Sequence, residues 1–406
     1  MKKVRYLLCI IVLYIYLYNP PFVMVGFGLI KILLLIAIFY FFRHKSCLRP
    51  YKPYLEYMGA ITAFMVIYTL LIVTINSGNA LNTPYGLVLW YLESVYLPVY
   101  VVESYAKEFN RSGFFNILLL LGFGASIIST ILLIRPDLNN LVLGSVITIP
   151  YENNFGYWSR CFGIAEGLTN SYGIIQGVFA SLCLLFLSKG KWHYALFFVF
   201  LTLATMVNAR TGMIAVIITI IWKFFFSSAK TKIVFLFLGA VLSIVVIYLL
   251  NAYAEDYLET IESITSFFTS SYDYIIKGET GDDYYDALER FIHYPSTISG
   301  WLFGEGRTLF GARTGSSDIG FVNQIFIGGI VFLISLIVVQ FYIYRNLKKN
   351  GGHSFLVWLL FCTAFIINFK GVTFCTTESF SRFVMLYFFV LIYNKTHHDN
   401  QIVLLK

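Results

Sequence analysis

Long apolar runs separated by short polar links make up most of this 406-residue chain. A run of about 20 apolar residues is long enough to cross the hydrocarbon of a bilayer as a helix. This pattern predicts an all-α integral membrane protein with about twelve transmembrane helices. The runs, of which the first is the shortest, occupy residues 6–18, 22–42, 54–75, 84–104, 113–134, 168–187, 192–208, 211–226, 233–251, 319–344, 354–370 and 381–394.

One long interval, residues 252–318, is the exception, because it is rich in polar and charged residues and is typical of a water-exposed loop. It divides the chain into residues 1–251, with the first nine predicted transmembrane helices, and residues 319–406, with the last three and a cytoplasmic tail. Loops held by a rigid scaffold often carry function. We therefore expect this large periplasmic loop to form a folded cap on one face of the helices.

Two helices are predicted inside the cap. Apolar residues recur at helical spacing from Tyr257 to Phe268, which indicates an amphipathic helix lying on the bundle. A second helix is predicted to begin at Asp282, where acidic residues suit a helix N-terminus, and to run to about Tyr294, just before Pro295. The expected fold is a transmembrane bundle with a partly helical outer cap.

The composition requires lipid as the solvent. Hydrophobic residues make up 58% of the chain and charged residues only 12%, whereas a soluble domain carries about 25% charged residues. The net charge of +8 does not indicate nucleic-acid binding, because the chain has neither a basic arm nor zinc-ligand spacing. Its cysteines form no C-x-x-C pair, so no metal or redox motif is present in the sequence.

The lysines and arginines of the links favour one orientation. They concentrate on alternate links, starting with Lys2 and Lys3, and positively charged links stay in the cytoplasm. Both termini are therefore predicted to be cytoplasmic. The links predicted to face outward are 76–83, 135–167, 252–318 and 371–380.

The cations of the outward links are mostly arginine, whereas lysine prevails on the other side. A guanidinium group forms planar, two-pronged hydrogen bonds to phosphate or carboxylate. The outer arginines are thus candidates for anion recognition. The alternative is that they cap helix ends and bind lipid headgroups.

The segment from Arg160 to Gly173 is the first candidate site. Arg160 can hold an anion, and Gly163 and Gly173 let the backbone approach a ligand closely. Asn170 can cap the helix that follows, whose N-terminal N–H groups bind anions. An ordinary loop that enters a helix would have the same sequence features.

Arg210 is the second candidate. It lies in a polar turn that interrupts the apolar stretch from Trp192 to Phe226. An ionisable group at or below the membrane surface is costly, and a functional role is the default interpretation. The alternative is a turn residue that extends its charge to the interface.

The cap supplies the remaining candidates. Arg290 is expected within one helical turn of His293, and Gly300 closes an Arg-x9-Gly pattern. A lone surface histidine is more often inert than a base. Asp318 stands where the cap returns to the membrane, so it is either a base or a cap of the next helix.

Other residues inside or beside the spans raise separate questions. Lys31 falls in the middle of a predicted span without an evident reason, and Glu93 is a candidate to pair with an arginine. Cys161 and Cys375 both belong to links predicted to face outward, so they are candidates for a disulfide if they lie close in space.

These motifs together resemble the Wzy-type O-antigen polymerases, within the wider superfamily of O-antigen ligases and polymerases. The likeness covers most of residues 110–345 by architecture but only scattered positions by identity. The matching features, in chain order, are Arg160-x-x-Gly163 with Asn170 and Gly173, Arg210-x-Gly212, the large outer loop with Arg290-x9-Gly300, Leu302-Phe-Gly-x-Gly306, and Asp318 ahead of a span containing Gly328 and Gly329.

The resemblance implies a metal-independent glycosyl transfer, without a cofactor, at the periplasmic face of a bacterial inner membrane. Donor and acceptor would be oligosaccharides linked to undecaprenyl pyrophosphate, and a chain-length regulator and a flippase are implied partners. Arg160, Arg210 and Arg290 match the family's functional arginines by position. They are expected to stabilise the departing pyrophosphate.

The residue near the end of the large loop bears both on the identity of the proton acceptor and on the branch of the superfamily. The ligase branch uses a histidine near the end of the large loop, where this sequence has Asp318, which favours a polymerase. Asp318 is therefore the first candidate base, with Glu166 and His293 behind it. The alternatives are a ligase that transfers polysaccharide to lipid A core and a transporter or flippase, although the sequence shows no internal repeat of the kind transporters carry.

Overall fold

A computed structural model describes residues 2–143, 161, 163–166, 171–187, 191–226, 292–310 and 317–397, with positions 232–233, 237, 239–240 and 244. Every regular element in these ranges is a helix. The α-helices are α1 (Lys2–Tyr18), α2 (Ile30–Arg43), α3 (Lys52–Ile75), α4 (Asn82–Leu89), α5 (Leu97–Ser112), α6 (Phe114–Ile134), α7 (Pro136–Leu141), α8 (Ser171–Leu187), α9 (Tyr194–Asn208), α10 (Met213–Phe226), α11 (Ile298–Phe303), α12 (Gly320–Lys349), α13 (Ser354–Ile367) and α14 (Ser379–Thr396). Short 3-10 helices occupy Lys45–Leu48 and Arg210–Gly212, and a π-helix occupies Trp90–Tyr96.

The chain divides into two compact units. The first comprises residues 1–33, 105–269 and 402–406, and the second comprises residues 34–104 and 270–401. In the first unit, α8 packs along α9, and α6 packs on α9. In the second unit, α12 packs on α3 and on the short helix α11.

Among the residues that the structure describes, four helices are long and apolar enough to cross a membrane. They are Lys52–Ile75, Asn82–Ser112, Phe114–Ile134 and Gly320–Lys349. Shorter apolar helices lie at Ser171–Leu187, Tyr194–Asn208, Met213–Phe226 and Ser354–Ile367. The all-helical fold is thus confirmed for the described residues, and four of the predicted runs have the length of a membrane span. The figure of about twelve spans stays a prediction.

The second predicted run begins later than expected. Helix α2 starts at Ile30, because α1 ends at Tyr18, before Pro20 and Pro21, and residues 23–27 form turns and a bend that include Gly26, whose φ of 71° belongs to the left-handed region. Lys31 consequently lies in the first turn of α2 and is exposed. The interpretation of Lys31 as a mid-span charge was wrong.

The described residues cover only part of the two helices predicted inside the cap. The Tyr257–Phe268 helix and the start at Asp282 fall outside the described residues. The expected end at Tyr294 is wrong, because residues 292–295 are not helical. Pro295 disfavours helical backbone in the residue before it, and the next helix, α11, starts only after Thr297, whose hydroxyl accepts a hydrogen bond from the Gly300 N–H at 3.0 Å.

Two long helices of the second unit contain irregular turns. Helix α12 is broken at Gly328 (φ −146°, ψ 19°) and Gly329 (φ 66°, ψ −168°). The π-helical turn Trp90–Tyr96 joins α4 to α5. Breaks and π-turns in otherwise regular helices often accompany functional sites, so both mark places to inspect.

Candidate functional site

In the first unit, the loop that follows Arg160 is tied to the turn that contains Arg210. The Cys161 carbonyl accepts hydrogen bonds from the Ser129 hydroxyl and from the Asn208 side-chain amide, the latter at 3.0 Å. Cys161 directly follows Arg160 in the chain, and Asn208 precedes Arg210 by two residues. Two motifs that lie far apart in sequence therefore meet at one carbonyl.

Close backbone packing holds the Arg210 turn, of which the backbone is described. The turn is a 3-10 helix, Arg210–Gly212, between α9 and α10. A Cβ atom at Gly177 would overlap the Gly212 carbonyl, and one at Gly173 would lie 2.7 Å from the Ala209 nitrogen. Gly173 therefore serves the contact between α8 and this turn. The prediction that Gly173 admits a ligand is wrong for this position, because its close neighbour is Ala209.

Gly163 adopts a conformation that favours glycine. Its φ is 67°, in the left-handed region, where a side chain is strained. The nearest atom to an added Cβ would be Ile128 Cγ2, at 3.4 Å. The motif Arg160-x-x-Gly163 thus has a backbone reason for its glycine, because the loop turns there before it reaches Glu166.

Glu166 is positioned by the end of α1. Its carboxylate accepts a hydrogen bond from Asn19 Nδ2 at 2.9 Å, and its N–H donates to the Tyr18 carbonyl at 2.7 Å. Tyr14 donates to the Ile164 carbonyl at 2.5 Å. Glu166 is half-buried, so a substrate hydroxyl can reach its carboxylate. The hydrogen bond from Asn19 fixes the orientation of that carboxylate, as a proton acceptor requires. Asn19 and Tyr14 carried no signal in the sequence that connected them to Glu166.

Polar side chains continue from this loop into the interior of the first unit. Gln176 Nε2 donates to the Tyr18 hydroxyl at 3.1 Å, and the Tyr172 hydroxyl donates to the Ala125 carbonyl at 3.0 Å. Both α8 residues are buried. Buried polar groups of this kind are normally satisfied by hydrogen bonds, and these bonds connect α8 to α1 and α6.

In the second unit, the segment after α11 fills the break in α12. The Phe326 carbonyl accepts a hydrogen bond from the Glu305 N–H at 2.8 Å. The Tyr68 hydroxyl lies 3.0 Å from the Gly328 carbonyl and 3.1 Å from the Phe303 carbonyl. A broken helix is tolerated at membrane depth only where the freed backbone groups find partners, and this segment provides them.

The glycines of the Leu302–Gly306 motif serve this contact. Gly304 and Gly306 have φ values of 84° and 67°. A Cβ at Gly304 would lie 2.5 Å from the Gly328 Cα, and the Gly306 carbonyl accepts a hydrogen bond from the Ala80 N–H at 3.0 Å. The motif is explained by backbone packing against α12 and the link after α3.

Asn323, near the start of α12, organises the same region. Its Oδ1 atom accepts from the Leu309 and Phe310 N–H groups, both at 2.9 Å. Its Nδ2 atom donates to the Ser317 carbonyl at 2.7 Å and to the Ile319 carbonyl at 3.1 Å. One buried amide therefore holds the segment Leu309–Phe310 and the segment Ser317–Ile319 together. No motif or periodicity in the sequence indicated this role of Asn323.

The remaining candidate residues of the cap have fewer hydrogen bonds that fix their side chains. Asp318 is exposed, and the N-cap of α12 is Ile319 without a side-chain capping bond, so Asp318 does not cap that helix. His293 is partly buried, and its Nε2 atom has no hydrogen-bond partner within the described ranges. Gly300 lies in the first turn of α11 and is buried. Arg160, Asn170 and Arg290 lie outside the residues that the structure describes.

Two further arginines, Arg135 and Arg382, have acidic partners. Arg135 binds the exposed Asp137, with Nη2 and Oδ2 2.9 Å apart, and this hydrogen bond holds the pKa of the Asp137 carboxyl below its ordinary value. Arg382 Nη2 lies 3.2 Å from Glu93 Oε2, and both side chains are almost fully buried. The prediction that Glu93 pairs with an arginine is confirmed.

The Glu93–Arg382 pair fastens the π-helical turn to α14. Next to it, Trp90 Nε1 donates to the Ser381 hydroxyl at 3.1 Å. The π-turn thus presents a tryptophan and a glutamate to consecutive residues at the start of α14. Cys161 and Cys375 are both free thiols, so the disulfide considered between them is not formed.

Comparison of the chain with protein-family models, curated proteins and solved structures found no match in any of the three.

Proposed function

We propose that this protein is a surface-polysaccharide polymerase of the O-antigen type. It transfers a growing glycan from undecaprenyl pyrophosphate onto a lipid-linked repeat unit at the periplasmic face of a bacterial inner membrane, with both termini in the cytoplasm. The observation that supports this most strongly is the hydrogen bond between the Cys161 carbonyl and Asn208 at 3.0 Å. It joins the two motifs that carry Arg160 and Arg210.

The reaction breaks the bond between the anomeric carbon and the pyrophosphate oxygen and forms a bond from that carbon to an acceptor hydroxyl. Negative charge builds on the departing diphosphate, and fixed guanidinium groups in a water-poor site stabilise it without a metal. Arg160 and Arg210 have this role in the proposal. The resemblance alone gives Arg290 the same role.

The acceptor hydroxyl must lose its proton to a nearby base. Glu166 is favoured for this step, because it belongs to the same loop as Cys161 and Asn19 holds its carboxylate at 2.9 Å. Asp318 and His293 have no comparable anchoring bond to their side chains within the described chain. The order of the candidate bases therefore changes, with Glu166 ahead of Asp318.

A transporter or flippase for lipid-linked oligosaccharides is the second candidate. The break at Gly328–Gly329 favours it, since transporters bind substrates at broken helices near the midplane. However, the break is only about 12 Å from the start of α12 at the helical rise. Its carbonyls are also occupied by the protein's own Tyr68 and Glu305. These two facts favour the polymerase.

Deleting the gene from its bacterium tests the proposal. We expect loss of long surface polysaccharide while single repeat units remain attached to the lipid A core, because ligation does not require polymerisation. Polysaccharide length on gels is the measurement, with wild-type complementation and a Lys191→Ala variant as controls. Loss of all attachment would indicate a ligase, and an unchanged length distribution would contradict both enzymatic assignments.

A further inference from the structure

The guanidinium group of Arg307 is clamped from two sides. Its Nε atom lies 2.7 Å from Glu305 Oε2 in an ion pair. Its central carbon lies 4.9 Å from the centroid of the Phe326 ring. A carboxylate and an aromatic face together fix the plane of the group. This is more order than a surface arginine usually has, because isolated surface ion pairs hold long side chains poorly.

The other edge of the same guanidinium is open. The Arg307 side chain is 51% exposed, and within the described chain its terminal nitrogens have no further ion pair or hydrogen bond. A bond through Nε leaves the two terminal nitrogens pointing away from Glu305. They form the two-pronged edge that matches two oxygens of a phosphate.

The backbone that carries Arg307 is also fixed. The Arg307 N–H donates to the Phe326 carbonyl at 3.4 Å, and the next N–H, that of Thr308, donates to Asn79 Oδ1 at 2.9 Å. Gly306, just before it, packs on the backbone of Val73 in α3. The guanidinium is therefore presented in one place without a large ordering cost on binding.

This place lies at the ends of two helices that are long and apolar enough to cross a membrane. Gly306 contacts α3 near its last residue, Ile75, and Phe326 lies in the second turn of α12. The ends of membrane-spanning helices lie at the depth of lipid phosphates. The neighbouring Phe303 and Phe310 side chains are 49% and 48% exposed, as suits contact with lipid chains.

We propose that Arg307 binds the phosphate or diphosphate of an isoprenoid lipid, with Glu305 as the residue that positions it. This rests on the proposed function, because a polymerase must hold lipid-linked diphosphates as both donor and acceptor. Arg307 thereby supplies a diphosphate contact within the second unit. The same chemistry fits a free diphosphate, so the test includes both sources.

Calorimetric titration of the whole protein in phosphatidylcholine nanodiscs provides that test. The probes are farnesyl diphosphate, which carries an isoprenoid chain, and inorganic pyrophosphate, which does not. Arg307→Gln removes the charge, Arg307→Lys retains it without the two-pronged edge, and Glu305→Gln removes the clamp. Arg345→Gln is the matched control, because Arg345 is an exposed arginine near the other end of α12.

We expect Arg307→Gln to raise the dissociation constant of farnesyl diphosphate by at least roughly tenfold, as for a lost charge-assisted hydrogen bond. Arg307→Lys and Glu305→Gln should give smaller increases, and Arg345→Gln should stay within about twofold of wild type. A parallel loss of pyrophosphate binding would mean that the diphosphate alone is recognised. A loss confined to farnesyl diphosphate would mean that the lipid is required.

Farnesyl diphosphate affinities within about twofold of wild type in both Arg307→Lys and Glu305→Gln would overturn the assignment, even if Arg307→Gln failed to fold. The ion pair would then only stabilise the loop, and both substitutions would lower the thermal unfolding temperature without changing binding. Because the readout is binding, it separates this proposal from the reaction. A deletion strain with normal polysaccharide would refute the polymerase while leaving the Arg307 measurement intact.

Discussion

Replacing Arg210 with alanine is expected to lower the rate of polymer formation by roughly 10²–10³-fold, the usual loss when one group that stabilises transition-state charge is removed. The protein should still reach the membrane. The described contacts of the turn are made by the backbone of Ala209 and Gly212 and by the Asn208 side chain. The measurement is the rate at which the purified variant extends a lipid-linked repeat unit.

Two control variants show whether the loss of activity is due to the guanidinium group of Arg210. Arg210→Lys keeps the positive charge but loses the planar two-pronged edge, so we expect it to recover only part of the activity. Lys191→Ala removes a cation from a predicted cytoplasmic link and should leave the rate unchanged. Polymer of wild-type length from Arg210→Ala would remove Arg210 from the mechanism.

Breaking the Glu93–Arg382 pair is expected to have the largest effect on stability. The two side chains are 4% and 1% exposed and their charged atoms are 3.2 Å apart. Arg382→Met would leave the Glu93 carboxylate buried without its counter-charge. Such losses cost about 3–5 kcal/mol of unfolding free energy. Unfolding titrations in mixed micelles, followed by tryptophan fluorescence, measure the change.

The double variant shows whether the effects of the two substitutions on the unfolding free energy depend on each other. Replacing both members, with Glu93→Leu and Arg382→Met, removes both buried charges together, and such replacements are often neutral or stabilising. We therefore expect the double variant to be more stable than either single variant. Additive losses in the double variant would mean that the two residues act separately and that the pair is incidental.

The positions of most described helices followed from hydrophobic runs, because about 20 apolar residues have few alternatives to a helix in lipid. The irregular places did not follow in the same way. Helix α2 starts at Ile30, eight residues after the predicted run begins, because proline and glycine backbone preferences override the apolar composition. The π-turn at Trp90–Tyr96 also left no trace in the apolar pattern.

Residues of the candidate site could be predicted only where placing that residue type in its surroundings costs free energy. A charge beside an apolar span is expensive, and this was sufficient to select Glu93 and Arg210. By contrast, Asn19 and Asn323 are single amides whose importance comes from hydrogen bonds to distant loops. No periodicity or motif spacing reports such contacts, so they became visible only in the fold.

The glycines illustrate the same limit, because the sequence does not show which distant residue each one contacts. Gly173 is correctly predicted as a position where the backbone approaches a neighbour closely, but the expected neighbour was a ligand and the observed one is Ala209. Gly304 and Gly306, which enter through the Leu302–Gly306 motif of the resemblance, also have other parts of this chain as close neighbours. A glycine indicates that space is restricted, but the sequence alone does not identify the neighbour.

The most direct test of the polymerase is to incubate the purified protein with one synthetic undecaprenyl-pyrophosphate-linked repeat unit, with a chelator present, and to separate the products by size. Polymerisation predicts a ladder of products that differ by one repeat unit, together with release of undecaprenyl pyrophosphate. Unchanged substrate, or substrate that only crosses the vesicle membrane, would contradict the assignment.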